Sequence, residues 1–307
     1  MPFLPIGGQA VLEGVMMRSP SRIAVAVRRP DGTFAFLDKP FTSITRRIKL
    51  LGLPVVRGAV SLFETMYLGV TALNFSADAV GREDQDTKPK PSAGWQIAQG
   101  LTVVISLALG VLLFVVLPAR LTGWLGFNSK IGFGLVDGVF RLLAFLLYLL
   151  LISQWRDMAR VLGFHGAEHK AIHALENGAP LTPESVQTFP RLHPRCGTTF
   201  LFIVVLVSIV VFSFIGKPHG IGGHLLRIAC MPLIAGVAFE FIRLSGKYQH
   251  LPWVRALTWP GMQFQYLTTR EPDLAMCATA IAALERVSAD SDVAAGARDS
   301  NVIAFIQ

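Results

Sequence analysis

The sequence predicts a mainly α-helical, polytopic membrane protein with about four transmembrane helices, an N-terminal β-hairpin and an interfacial amphipathic helix. Apolar residues make up 52% of the 307 residues, and charged residues make up only 16%. Soluble proteins carry about 25% charged residues. The mean hydropathy is +0.51. This composition excludes a disordered chain, a coiled coil and an ordinary soluble enzyme as descriptions of the whole protein.

Residues 1–94 are predicted to form a cytoplasmic segment that contains the hairpin and the amphipathic helix. Two β-rich runs, Arg22–Arg28 and Phe34–Leu37, flank the turn sequence Pro30-Asp31-Gly32. Apolar residues recur every three or four positions through 54–77, which predicts a helix. A fifth span is the alternative, but it would place two basic segments on opposite sides of the membrane, so we expect this helix at the interface.

Four apolar segments are predicted to cross the membrane, two in residues 95–153 and two in 198–244. Their approximate bounds are Trp95–Leu117, Ile131–Ser153, Thr198–Ile215 and His224–Leu244. At ~1.5 Å per helical residue, each is long enough for ~30 Å of hydrocarbon. Asp137 and Arg141 stand four apart in the second segment, and we expect them to neutralise one another.

The distribution of basic residues predicts the orientation of the chain. Lys and Arg number twelve in 1–94, two in 119–130, five in 153–197, one in 217–222 and six in 243–307. Because loops rich in Lys and Arg stay in the cytoplasm, both termini and the second loop are placed there. The net charge of +8 is therefore interpreted as a topology signal. No nucleic-acid-binding motif is recognisable, so we expect no nucleic-acid partner.

The segment after the last span, residues 245–287, is predicted to be a cytoplasmic connector and a helix. Asp273 can cap a helix that runs to about Val287. Residues 288–307 are small and polar, which predicts a flexible tail. The three cysteines are widely spaced, which argues against a disulfide framework.

The cytoplasmic loop 154–197 contains the residues that can carry chemistry. His165 and His169 stand four apart, so a helix would place both imidazoles on one face, as in zinc sites. Glu168 lies between them in a His-x-x-Glu-His pattern, where a glutamate can take a proton from metal-bound water. We predict that Zn²⁺ or another divalent transition metal binds here, with Glu168 as the catalytic base.

His193 and Cys196 are predicted to complete the ligand set. Both are good zinc ligands, and Cys196 immediately precedes the third span. Arg195 could lower the pKa of the Cys196 thiol. Glu240 lies near the cytoplasmic end of the fourth span, which makes it a candidate outer-shell residue. Topology therefore brings polar groups from separate segments to one depth, at the inner boundary of the bilayer.

Several blocks of the sequence resemble the YqhQ-like family, also called domain of unknown function 1385. They are Gly7–Arg18, Arg57-Gly58 with Glu64, His165–Lys170, His193–Phe200 and Leu267–Pro272. The resemblance implies a multi-pass protein of the bacterial cytoplasmic membrane and a metal-dependent enzyme, without naming a reaction. It also draws attention to Glu13, which we expect to face the metal loop as an outer-shell residue or to form part of a packing turn.

The leading functional hypothesis is a membrane-embedded metal-dependent hydrolase. Its substrate would be a peptide bond near the membrane or a lipid-linked ester or amide. The alternative is a structural or assembly factor in which a closed metal site fixes the loop to the spans. A transporter is a third, weaker hypothesis, because four spans without an inverted repeat do not fit that architecture.

Overall fold

A computed structural model describes residues 6–81, 93–127, 129–194, 196–248 and 251–288. Arg195 and residues 289–307 of the predicted tail (288–307) lie outside these residues, and Ser288 is the last residue of the final helix. The strands are β1 Gly7–Val11, β2 Gly14–Arg18, β3 Arg22–Arg28 and β4 Phe34–Pro40. The helices are α1 Ile44–Arg47, α2 Val56–Val80, α3 Ala93–Val111, α4 Leu117–Trp124, α5 Lys130–Ile152, α6 Arg156–Glu176, α7 Pro183–Gln187, α8 Gly197–Ile215, α9 Gly220–Ala229, α10 Met231–Lys247, α11 Pro252–Gln263, α12 Gln265–Thr268 and α13 Leu274–Ser288.

The N-terminal strands form one antiparallel sheet in the order β1-β2-β3-β4. The predicted hairpin is its β3–β4 half, and its turn is fixed by Asp31, whose carboxylate accepts the Thr33 N–H at 2.8 Å. The β1–β2 half was not predicted from the sequence. Its two-residue turn places Glu13 at a φ of 51°, a left-handed conformation that few non-glycine residues adopt.

The sheet is buried on both faces. Since successive strand residues point to opposite faces, Val15 and Met17 pack with the α6 residues Phe164 and Ala167, and α13 completes this core. Val11, Met16 and Val25 pack on the other face against Leu68 and Ala72 of α2. The sheet therefore holds α6, the helix with the predicted metal ligands, against β1 and β2.

Among the described residues, four helical stretches are long and apolar enough to cross a membrane, as predicted. They are Gly100–Trp124, Lys130–Ile152, Gly197–Ile215 and Gly220–Ser245. The first ends later than the sequence suggested, and the last begins earlier. Only 6% of an apolar 18-residue window in the first stretch is buried by protein, which leaves its side chains available to lipid. Helix α2 is not among these candidates, and its position at the interface stays a prediction.

The chain divides into two compact units. The first, here called the sheet unit, comprises Met1–Gly81, Leu151–Ile203 and Gly236–Gln307. The second, the helical unit, comprises Arg82–Leu150 and Val204–Ala235. All of the candidate metal ligands lie in the sheet unit.

The helical unit contains a buried charge cluster. Asp137 and Arg141 form the predicted ion pair, with Arg141 Nη2 3.0 Å from Asp137 Oδ2. Arg227 of α9 adds a second guanidinium, 3.1 Å from the same oxygen. Arg141 also donates to the Ser208 hydroxyl, and Arg227 donates to the Gly216 carbonyl. The cluster thus ties α5, α8 and α9 together, although sequence spacing pointed only to the pair within α5.

The C-terminal part of the sheet unit is more helical than the sequence suggested. The segment read as a connector contains α11, which has Pro260 inside it, and the short helix α12. Asp273 caps α13 as predicted, since its carboxylate accepts the Met276 N–H at 2.7 Å. Helix α12 matters for the site, because it supplies the Thr268 carbonyl and the Gln265 side chain described next.

Candidate metal centre

Helix α6 places His165, Glu168 and His169 beside one another, as the spacing predicted. The two imidazole centroids are 4.5 Å apart. The three side chains belong to buried residues, with exposures of 7%, 4% and 2%. Buried polar groups of this kind require partners, so the burial itself points to a specific role.

Cys196 joins the two histidines from the residue before α8. Its Sγ lies 3.3 Å from His165 Nε2. One ligand atom from each of His165, His169 and Cys196 lies within 4.8 Å of the others. Two ligands of one tetrahedral zinc ion, with Zn–N ~2.1 Å and Zn–S ~2.3 Å, are about 3.6 Å apart. The distance between Cys196 Sγ and His165 Nε2 is close to this value, and His169 lies near enough to be a candidate third ligand.

Backbone carbonyls fix the tautomers of both imidazoles. His165 Nδ1 lies 2.8 Å from the Thr268 carbonyl, and His169 Nδ1 lies 2.6 Å from the Arg191 carbonyl. A carbonyl oxygen can only accept, so Nδ1 carries the proton in each ring and Nε2 keeps its lone pair. Metal-binding histidines have this arrangement, in which the second nitrogen donates to a carbonyl or carboxylate.

The protonation states also suit metal binding. Burial lowers the pKa of His169 to about 4, so its imidazole is neutral at pH 7. Burial alone would raise the pKa of the Cys196 thiol, but the His169 ring, when it carries a positive charge, and hydrogen bonds with Thr198 lower that pKa. A neutral imidazole and a readily formed thiolate are the ligand forms that zinc binds.

Glu168 lies next to the three ligands but keeps an unsatisfied oxygen. Burial raises the pKa of its carboxyl to about 7. Glu168 Oε2 is 4.0 Å from His165 Nε2 and has no hydrogen-bond partner among the described residues. A buried oxygen without a partner is costly. It marks the position where a bound group or water can be accommodated beside the ligands.

Gly8 of β1 makes room for this carboxylate. Its backbone hydrogen-bonds to Glu168. A Cβ at this position would lie 2.9 Å from Glu168 Cγ and 2.8 Å from Met17 Sδ, closer than real contacts allow. The glycine-rich start of the sequence thus lets the edge strand lie directly over the catalytic candidate.

His193 lies in a neighbouring cluster and not among the first three ligands. Its ring centroid is 4.6 Å from that of His173 and 5.7 Å from that of His169. Its Nε2 is 3.4 Å from Glu176 Oε2. Ligand atoms of His173, Glu176 and His193 lie within 4.8 Å of one another. The four predicted ligands are thus divided between two adjoining groups.

The predicted outer-shell residues have ion-pair partners. Glu13 pairs with Arg160 through two hydrogen bonds of 2.5 Å. Glu240 accepts from Arg57 Nε at 2.6 Å, and Arg243 lies 3.7 Å away. The outer-shell role of Glu13 and Glu240 stays a prediction, and Arg195 lies outside the described residues.

Gln265 is a site residue that the sequence did not reveal. It is fully buried in α12. Its amide accepts the His193 N–H and donates to the His193 carbonyl, each at 2.8 Å. It also donates to the Thr199 hydroxyl at 3.1 Å. The first two contacts fix the backbone N–H and carbonyl of His193. No local sequence pattern links residues this far apart in the chain, so the role of Gln265 could not be predicted.

An apolar cavity of about 330 Å³ adjoins the cluster. It is lined by the side of α2, by the first turn of α8 and by Gln9. Gly197, which follows Cys196, and Gln9, which follows Gly8, both line it. Consecutive Cα atoms are ~3.8 Å apart. The cavity wall therefore begins one residue from Gly8 and one residue from Cys196.

Comparisons with known proteins agree with the resemblance in the sequence. The profile of the family described as "Protein of unknown function (DUF1385)" matches residues 53–290. The relative "Uncharacterized protein YqhQ" of Bacillus subtilis (strain 168) is 32% identical over 276 residues, which is 87% of this chain and 86% of the relative. No solved structure matches the chain significantly. The matched range contains both clusters of ligand-type side chains.

Proposed function

The chain belongs to the DUF1385 family, and from this premise and the geometry of the cluster we propose that it is a membrane-embedded metal-dependent hydrolase. One observation carries the proposal. Three buried ligand-type side chains converge on a common point, and a buried carboxylate oxygen without a described partner lies beside them. A closed structural site would use Glu168 as its fourth protein ligand, whereas a catalytic site would keep an open position beside Glu168.

The donor set supports a divalent transition metal. His165 and His169 would bind through Nε2, and Cys196 would bind through its thiolate. Two imidazoles and one thiolate suit Zn²⁺, which usually keeps an open position in catalytic sites with three protein ligands. When bound, such an ion acidifies water and polarises a carbonyl.

Glu168 is the proposed catalytic base. Its raised pKa of about 7 lets the carboxyl accept and return a proton near neutral pH. Its oxygen faces the ligand cluster at 4.0 Å from His165 Nε2, close enough to reach a water molecule between the two groups. The Gly8 backbone hydrogen-bonds to the same carboxylate.

The proposed location is the cytoplasmic boundary of the bacterial inner membrane, with both termini in the cytoplasm. Cys196 immediately precedes α8, and α6 begins four residues after the end of α5; α5 and α8 are both candidate spans. The excess of Lys and Arg in 1–94 and in the loop 153–197 supports the orientation.

The neighbouring cavity supports a substrate with an apolar portion, such as a lipid-linked ester or amide. Its wall includes Met66, Val70 and Phe200. Such a surface favours hydrocarbon by the hydrophobic effect, at roughly 25 cal/mol per Å² buried. A hydrophobic peptide segment at the membrane surface is the second substrate class.

The proposal is tested with metal analysis and hydrolysis assays on full-length protein purified gently in detergent. We expect Glu168→Gln to keep its metal and to lose about 10²–10⁴-fold in hydrolysis of lipid-linked ester and amide probes. His165→Ala should lose both metal and activity. Matched controls are Glu184→Gln and His219→Ala, which replace exposed residues of the same types.

Two results would contradict the hydrolase proposal. Wild-type protein without bound metal would remove the centre itself. Full activity of Glu168→Gln, measured as rescue of growth in a strain that lacks the gene, would favour the alternative of a structural or assembly factor with a closed site.

A further inference from the structure

A second cluster of ligating side chains lies at the C-terminal end of α6. His173 and Glu176 come from the last turns of that helix, and His193 comes from the segment before α8. Their ligand atoms lie within 4.8 Å of one another. His193 is buried, whereas the Glu176 side chain is 17% exposed. An ion from the aqueous phase therefore has a route to the cluster.

A hydrogen bond fixes the tautomer of His173. Its Nε2 lies 2.9 Å from the Leu192 carbonyl, so this nitrogen carries the proton. Burial lowers the pKa of His193 to about 3, so this imidazole is neutral. Gln265 holds the His193 backbone in place with two hydrogen bonds of 2.8 Å. Such outer-shell support is typical of metal-binding histidines.

The spacing within the cluster matches ligation. His193 Nε2 and Glu176 Oε2 are 3.4 Å apart. Two ligands at ~2.1 Å from one tetrahedral ion are about 3.4 Å apart. The cluster also lies at the C-terminus of a 21-residue helix, where the partial negative charge of the last carbonyls favours a cation.

We propose that His173, Glu176 and His193 form a second divalent-metal site beside the first. The ring centroids of His169 and His193 are 5.7 Å apart, so the two sites adjoin without sharing a ligand. The second donor set has two nitrogens and one carboxylate and no sulfur. It suits Zn²⁺, Mn²⁺ or Fe²⁺. This inference concerns metal binding and does not depend on the proposed hydrolysis.

Cobalt titration of the chelator-treated, full-length protein separates the two sites. Cobalt bound by a thiolate has a sulfur-to-metal charge-transfer band, and a site without sulfur does not. We expect wild-type protein to bind about two equivalents of Co²⁺, of which only the Cys196 site produces the band. Glu176→Gln and His173→Gln should each bind about one equivalent and keep the full band. Glu184→Gln is the control and should bind like wild type.

The titration decides whether the second metal site exists. Binding of only one equivalent by the wild type, with the full thiolate band, overturns the second site. Loss of the thiolate band in a folded Glu176→Gln protein also overturns it, because His193 and Glu176 would then support a single centre. If His173→Gln unfolds, as judged by circular dichroism, Glu176→Gln still tests the second site, because the Glu176 side chain is partly exposed. Failure of the hydrolase proposal is distinct, because it shows as full activity of Glu168→Gln or as absence of the thiolate band, whereas failure of the second site shows in the Co²⁺ stoichiometry of Glu176→Gln.

Discussion

His165 Nε2 lies 3.3 Å from the sulfur of Cys196, although 31 residues separate them in the chain. Helix α6 carries the imidazole, and the thiol occupies the position before α8. Two hydrogen-bonded tautomers and a lowered thiol pKa accompany this contact. Together they make a pre-organised ligand set, which is the feature on which the functional proposal depends.

Cys196→Ser should therefore weaken Zn²⁺ binding more than any outer-shell change. A hydroxyl does not readily supply the anionic donor that a thiolate does, so we expect a loss beyond the roughly 10–100-fold typical of an outer-shell substitution. Competition with a chelator of known affinity measures it. The matched control is Cys230→Ser, which changes another free cysteine and should keep the wild-type affinity. Equal loss in both variants would mean that the sulfur does not bind the metal.

The sequence predicted the parts of the fold that have strong local signals. Long apolar runs predicted the four candidate spans, and a Pro-Asp-Gly turn between β-rich runs predicted the β3–β4 hairpin. The β1–β2 hairpin was missed because Gly7–Arg18 has no alternating pattern and its turn lacks the usual glycine or asparagine. Glu13 adopts the left-handed conformation there instead.

The proximity of the candidate ligands was predicted where helical spacing or chain position was sufficient. The four-residue spacing of His165 and His169 predicted that both lie on one face of a helix. The start of the third span predicted that Cys196 lies at the end of that span. Glu176 was missed, because a glutamate in a last helical turn usually faces solvent. Gln265 holds the backbone of His193, and no sequence period connects residues 72 apart.

Gly8→Ala should destabilise the protein and disturb Glu168. The added methyl would press on Glu168 Cγ, Met17 Sδ and the Met16 carbonyl, and backbone cannot move aside easily. Overpacking of this kind costs about 1–3 kcal/mol in the free energy of unfolding. Thermal unfolding in detergent measures the cost, and the activity assay should show a parallel loss.

The control for Gly8→Ala is Gly110→Ala. A Cβ at Gly110 meets nothing within 4 Å, and alanine favours a helix by up to ~1 kcal/mol over glycine. That variant should unfold at or above the wild-type temperature. If Gly8→Ala is as stable and active as the wild type, close approach of the edge strand to Glu168 is not required.

Asp137→Ala should be far more damaging than Arg141→Met. The carboxylate is the shared partner of Arg141 and Arg227, whose side chains are 5% and 0% exposed. Its removal leaves two buried guanidinium groups without a counter-charge, and breaking a buried pair costs about 3–5 kcal/mol. Arg141→Met removes the excess positive charge and keeps the pair between Asp137 and Arg227, so it should cost much less. Denaturant unfolding in mixed micelles, with both variants compared in one series, measures the difference. Equal costs would mean that water or detergent reaches the cluster and solvates the arginines, because only a dry environment makes the single carboxylate indispensable.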